Sequence, residues 1–220
     1  MSTKSGGSFN EFLIYTVKIY MNKEILVSIE QYVTDCFLKD TPDFLKYHNL
    51  DHTRAVVGRS GEIARHYALP EEDMLTLLAA AWFHDLGYLY APAETHEEKG
   101  VAMMQEFLFS ACLPEILAQI KVNILTTKSN APIATLQEKI LCDADTYHLG
   151  TDEFFASDEL VKRETELRTG LDEIPGKAWI SQTLMLLKKH LFHTDYCSQL
   201  LEHKKRENME MLESMRSIID

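Results

Sequence analysis

A carboxylate and an imidazole stand side by side at His84-Asp85, directly after the apolar run Ala80-Ala81-Trp82-Phe83. A fold that buries the run carries the pair inward with it. A buried charge is costly unless it is paired, hydrogen-bonded or holding a metal ion. The chain must therefore fold so that suitable partners converge on this dipeptide. Candidates stand elsewhere in the chain: His52 in Tyr47-His48-Asn49-Leu50-Asp51-His52-Thr53, and Asp145 in Cys142-Asp143-Ala144-Asp145.

The 220 residues, 45% of them hydrophobic, suffice for one domain with a core and terminal appendages. Glycines and prolines are few and fall between segments whose apolar residues recur every three or four positions, so an all-α fold is expected. The spacing predicts helices over 9–20, 22–39, 51–68, 71–89, 94–111, 113–128, 133–149, 151–167 and 175–218, the last broken near 194–196. Asp51 is a candidate N-cap. Pro70 and Pro114 open helices, the first followed by acids in its first turn. Gly170 and Pro175-Gly176 mark a loop before the C-terminal segment. The expected division is a flexible tail and short extension over 1–20, a core over 21–170, and a C-terminal helical extension over 171–220 packing on that core. Residues 1–8 are expected to be disordered.

The formal charge of −12 disfavours binding to duplex nucleic acid. A small anionic substrate is compatible with it if a metal ion and local lysines or arginines overcome the field. Four scattered cysteines without a CxxC pair read as reduced thiols of a cytoplasmic protein, with Cys142 a structural thiol. No apolar run reaches the roughly 20 residues of a membrane span, and the N-terminus lacks the charged start of a signal peptide. The methionines from Met209 to Met215 read as packing on the core, with a dimer helix as the other reading.

Imidazole nitrogen and carboxylate oxygen together suit Mn, Fe, Zn, Co, Ni or, less well, Mg. Two His and two Asp leave coordination positions open, as a catalytic metal requires. On one helix His84 and Asp85 would point about 100° apart, gripping an ion over the helix edge between them. If its segment is helical, His48 shares a face with His52 and is placed to act as general acid toward a leaving oxygen. Lys99, Lys128 and Arg54 are candidate phosphate contacts. His96 is a candidate for a substrate-facing or second-metal role. His66, His148, His190, His193 and His203 read as surface or core-edge histidines.

The ordered set YHNLDH, WFHDLGY and CDAD resembles the HD superfamily of metal-dependent phosphohydrolases, over roughly residues 30 to 167. Within it the runs His96-Glu97-Glu98-Lys99, Leu125-Thr126-Thr127-Lys128 and Arg163-Glu164 are similar to the small bacterial proteins described as HD phosphohydrolases. The resemblance implies an HD-domain helical bundle with His52, His84, Asp85 and Asp145 as ligands of one divalent ion per chain. It prefers Asp145 to Asp143 as the fourth ligand. It assigns the protonation of the leaving group to His48; with the reading of the charged residues above, catalysis is expected of His48, Asp85 and Lys128, and substrate contacts of Lys99, Lys128, His96 and Arg54. The implied reaction is hydrolysis of a phosphomonoester or phosphodiester, of a nucleotide above all. The GYP element of the cyclic-dinucleotide enzymes is not evident here, nor is the acidic pair that follows HD in the alarmone hydrolases. Two other readings are a di-iron oxygenase on an HD-like fold and a non-catalytic nucleotide-binding module.

Overall fold

The computed structural model describes residues 9–218, with side chains from Asn22 onward; the expectation of disorder over 1–8 falls outside them. Nine α-helices and no strand occur among the described residues: α1 Phe9–Asp40, α2 Leu50–His66, α3 Glu71–Phe83, α4 His96–Leu108, α5 Pro114–Thr126, α6 Leu136–Asp145, α7 Phe154–Thr169, α8 Gly176–Lys189 and α9 Asp195–Ile218. The fold is all-α, as the apolar spacing implies. None of these helices is long and apolar enough to cross a membrane.

Helix α3 is the hub. Eight of its residues are buried, Leu75 through Phe83 with only Leu78 excepted, so it is apolar on all sides and must lie inside the bundle. Helices α1, α2, α4, α5 and α6 pack around it. Ala79, Ala80 and Ala81 let neighbouring backbones approach, while Phe83, fully buried, fills the centre. Burial of a side chain of that size contributes about 2–3 kcal/mol. A second apolar cluster, Leu149, Phe154, Ile180, Leu184, Leu187 and Leu212, joins α7, α8 and α9. Cys197 and Leu201 of α9 belong to the main core, so this last helix touches both clusters.

Several boundaries differ from the sequence-based expectation, each for a local reason. Residues 9–40 form one helix, not two, because nothing at positions 20–22 breaks the backbone ladder. Asn49, not Asp51, caps α2; its side chain accepts from the N–H of Asp51 at 2.9 Å and of His52 at 3.1 Å. Helix α6 starts at a capping box of Thr135 and Glu138 and ends at Asp145, followed by a 3₁₀ turn over Tyr147–Gly150. The C-terminal segment breaks earlier than expected, at His190–Thr194.

The difference that matters most is at the HD dipeptide. Helix α3 stops at Phe83, and Leu86–Leu89 forms a 3₁₀ turn instead of continuing it. The turn presses on the start of α4. A Cβ on Gly87 would stand 1.9 Å from the carbonyl oxygen of His96, and one on Gly100 would stand 2.5 Å from that of Phe83. Only glycine permits this approach, which brings His84 and Asp85 beside His96.

Candidate metal centre

His84 sits at the C-terminal end of α3, where the last carbonyls of a helix lack intrahelical partners. Its Nδ1 binds one of them, the Ala81 carbonyl, at 2.8 Å. That bond places the ring's proton on Nδ1 and leaves Nε2 with a lone pair pointing inward. His52 is held in the first turn of α2 by the Asn49 cap. Asp145 is the last residue of α6, at the negative end of the helix dipole, where a carboxylate is electrostatically misplaced. A local rule broken in this way marks a functional position.

Donor atoms of His52, His84, Asp85 and Asp145 all lie within 4.8 Å of one another. Nε2 of His52 stands 3.3 Å from Oδ2 of Asp85 and 3.2 Å from Oδ1 of Asp145. Nε2 of His84 stands 3.2 Å from Oδ2 of Asp85 and 3.6 Å from Oδ1 of Asp145. Atoms that share one ion at bond lengths of about 2.1 Å stand roughly 3.0–3.4 Å apart. Nε2 of His84 and Oδ2 of Asp85 are fully enclosed, yet neither has a hydrogen-bond partner. Two buried polar atoms so close and still unpaired aim at a common point between them, so the donor set fits a divalent cation.

Protons act as a stand-in for that charge. Burial opposes ionisation of all four groups. Even so, the Asp145 and Asp85 carboxylates raise the pKa of His52, and those of Asp85 and Asp145 raise that of His84 well above the ordinary imidazole value. The imidazoles in turn hold Asp85 and Asp145 below the ordinary carboxylate range. The pocket asks for positive charge, which a metal ion supplies while displacing the protons.

His48 lies before α2, not on it, so it does not share a helical face with His52. Its Nδ1 meets Oε1 of Glu164 at 2.6 Å. Oε2 of the same carboxylate accepts the backbone N–H groups of Lys46 at 3.0 Å, Tyr47 at 2.8 Å and His48 at 3.1 Å. Arg168 Nε adds a bond to Oε1 at 3.1 Å. Burial pushes the Glu164 pKa up, but the bonds from His48 and the backbone win and hold it at about 2. The His48 ring stacks on Tyr88 with centroids 4.3 Å apart, and Tyr88 stacks on His96 at 3.7 Å. His96 fixes its Nδ1 on the Ala93 carbonyl at 2.6 Å and turns Nε2 toward Oδ1 of Asp85 at 3.5 Å.

The other sequence candidates lie further out. Lys128 is bound to Glu98 on the rim of a groove that reaches Asp145. Lys99 places its Nζ 5.7 Å from the Tyr90 ring centroid and does not line the clefts that reach Asp145. Arg54 is exposed on α2; Arg59, not Arg54, is among the residues lining the cleft beside His52 and Asp145. Asp143, the rival to Asp145, is fully buried and turned the other way, accepting the N–H of His193 at 2.7 Å and the N–H and hydroxyl of Thr194 at 2.8 and 2.6 Å. Cys142 is half-buried, its thiol pushed up to about 12 by burial and then by Asp145.

Two histidines read as peripheral are not. The Tyr47 hydroxyl bonds Nδ1 of His148 at 2.9 Å, and burial, then the charge on His52, lowers the His148 pKa to about 4. His190 bonds the hydroxyl of Thr146, next to Asp145, at 2.9 Å. Glu164 and His190 reach the site through tertiary contacts spanning 116 and 44 residues, whereas His148 stands three residues after Asp145 and meets Tyr47 from 101 residues away. The downstream Arg163-Glu164 run was the one sequence signal for any of them.

Residues 49–150 match the model of the HD domain family. No curated protein and no solved structure matches the chain.

Proposed function

Because residues 49–150 match the HD domain family, we propose that the chain is a metal-dependent phosphohydrolase acting on a phosphate ester of a nucleotide. The observation that carries this reading is the convergence of four donor atoms from two histidines and two aspartates, two of those atoms buried and unpaired. A divalent ion bound by His52, His84, Asp85 and Asp145, one per chain, would supply Lewis acidity toward a phosphoryl oxygen and toward water. The chain's own residues do the rest. Asp145, at the solvent-facing mouth of the cluster, marks where substrate enters; its side chain is 26% exposed while those of His84 and Asp85 are at or near zero.

His48 is the proton donor. Glu164 accepts the Nδ1 proton, so Nε2 is the nitrogen that faces the leaving oxygen, and it donates from the doubly protonated ring, whose charge the Glu164 carboxylate balances. Tyr88 and Tyr47 flank the ring, Tyr47 edge-on at 5.0 Å, and limit its rotation. His96 orients the Asp85 carboxylate from the side away from His52 and His84. Lys128 meets substrate phosphate from the groove rim on exchanging its Glu98 partner, and holds the bound phosphate by its positive charge. The same reading places the protein in the cytoplasm and allows a homodimer through the exposed Met211 and Met215 of α9.

Metal content and turnover test it together. Purified protein is assayed for bound metal and for hydrolysis of a bis-aryl phosphodiester and a nucleotide panel with Mn, Mg, Ni, Co and Zn. One equivalent of metal with ester turnover is the expected result. Two equivalents of iron with no hydrolysis would move the chain to the oxygenase class, and neither metal nor turnover to a binding module.

A further inference from the structure

Besides the cleft that Arg59 lines, two clefts of opposite character reach Asp145. One, of about 310 Å³, lies against α7 and α8 and reaches both His48 and Asp145. Leu149, Val161, Trp179 and Leu186 form apolar wall, and no lysine or arginine lines it. Its polar anchor is Asp158. The Trp179 indole N–H donates to Oδ2 at 2.9 Å and the Thr183 hydroxyl to Oδ1 at 2.9 Å. A carboxylate oxygen accepts more than one hydrogen, so Asp158 keeps acceptor positions on both atoms. The exposed Gln182 adds an amide that both donates and accepts.

The other cleft, of about 770 Å³, carries Lys128 and Lys189 together with His190 and His193. The two share Asp145, Thr146, Gln182 and Leu186, so they form one path with the metal centre at the junction. Charge sorts what each can hold. A phosphate against α7 and α8 would face the Asp158 carboxylate, and no lysine or arginine lines the cleft to offset it. A neutral flat ring with N–H groups would gain the Trp179 and Leu186 walls and a carboxylate acceptor. The volume is that of a small-molecule site and holds a base with its ribose.

Resting on the phosphohydrolase reading above, we infer that the α7–α8 cleft is a nucleobase pocket. The substrate is a nucleoside phosphate whose base donates N–H groups to Asp158 beside Trp179. Its phosphate lies at Asp145, and any further phosphates run toward Lys128 and Lys189.

The test has a binding arm and a turnover arm, both on the full chain. Of the two tryptophans, Trp82 is buried in the main core and Trp179 lines the pocket, so indole emission reports on the pocket. Guanosine and adenosine, without phosphate or metal, are titrated against ribose 5-phosphate. Saturable quenching by at least one nucleoside and none by the sugar phosphate is expected, with binding at least tenfold weaker in Asp158→Asn. Gln182→Ala, at an exposed position, gives a second variant that weakens binding severalfold without touching the helix packing. In the turnover arm the metal-loaded protein should prefer a nucleoside monophosphate to ribose 5-phosphate by at least tenfold in kcat/KM. Asp158→Asn should cut the ratio of nucleotide to bis-aryl diester turnover at least tenfold. Equal turnover of nucleotide and ribose 5-phosphate, with no quenching by either nucleoside, overturns the pocket and leaves the phosphohydrolase standing. No hydrolysis of any ester overturns the phosphohydrolase, while the nucleoside titration, which needs neither metal nor turnover, still decides the pocket.

Discussion

Asp143 and Asp145 stand two residues apart at the end of α6 and face opposite ways. Asp143 is enclosed by donors: two backbone N–H groups and a hydroxyl at 2.6–2.8 Å tie it to the connection between α8 and α9. Asp145 meets His52, His84 and another carboxylate, and its neighbour Asp85 keeps an oxygen with no hydrogen bond at all. The first carboxylate is complete and the second awaits a cation. The residue type is the same in both, but Asp143 is fully buried and Asp145 is 26% exposed, and the donors around Asp143 balance its charge while those around Asp145 do not. Glycine-mediated contact between the turn after α3 and α4 adds to this, because it forces Asp85 into the same space.

The largest effect expected is on turnover. Asp145→Ala should lower phosphate-ester hydrolysis at least 1000-fold, about 4 kcal/mol of barrier, and abolish the rise in melting temperature that added metal gives the wild-type protein. If Asp145→Ala kept wild-type turnover and the metal-induced shift while Asp143→Ala lost both, the roles of the two carboxylates would have to be exchanged. Asp143→Ala should act on stability instead. Leaving its donors buried and unpaired costs on the order of 3–5 kcal/mol. For a chain of this length that lowers the melting temperature by roughly 10 °C, and calorimetry of metal-free protein reads it directly. Asp145→Ala under the same metal-free conditions should lower it less.

Glu164 sharpens the comparison, since it is a carboxylate completed by donors like Asp143 yet sits behind His48. Glu164→Gln should reduce kcat by about 10- to 100-fold, as loss of an orienting partner does, with KM changed little. It has a second signature in acid. The Glu164 pKa is held at about 2, against 4.5 for a free glutamate. Because the folded-state value is the lower one, the stability it contributes is full above pH 4.5 and drains as pH falls toward about 2. The gap between wild type and Glu164→Gln in chemical denaturation should therefore shrink across that window. A gap constant from pH 5 to pH 2 would show that the His48–Glu164 bond does not form.

The candidate ligands were legible because each stands in a short local pattern: an imidazole just inside an expected helix, a charged pair at the end of an apolar run, and one of two acids in Cys142-Asp143-Ala144-Asp145. The helices were legible for the same reason, since apolar period and sparse glycine are local properties. What stayed hidden depends on distance in the chain. Leu86 and Leu89 keep a helical period, so nothing in the sequence shows that α3 ends at Phe83; the ending is imposed by backbone packing of Gly87 on His96. Asn49 and Asp51 are equally good caps by type, and only the backbone at Asn49, extended at φ −113°, decides between them. Glu164 is 116 residues from His48, and no periodicity links the two.

Lys128 is where the smallest effect is expected, and the reason is its partner. It forms an ion pair with Glu98 on the groove rim, and both side chains are substantially exposed, at 35% and 53%. An exposed pair is worth little, commonly under about 1 kcal/mol, so Lys128 can exchange Glu98 for a substrate phosphate at slight cost. Lys128→Ala should therefore raise KM for a nucleotide about 3- to 10-fold with little change in kcat or melting temperature. Glu98→Gln should move KM the other way by a smaller factor, by freeing the lysine. Both effects should fade as salt rises, because the charges are screened. Unequal responses would separate the two faces of the site: a fall in kcat with Lys128→Ala would place this lysine at the reacting phosphate, beside Asp145, and no change in KM would leave Asp145 and His48 to meet the substrate without help from the rim.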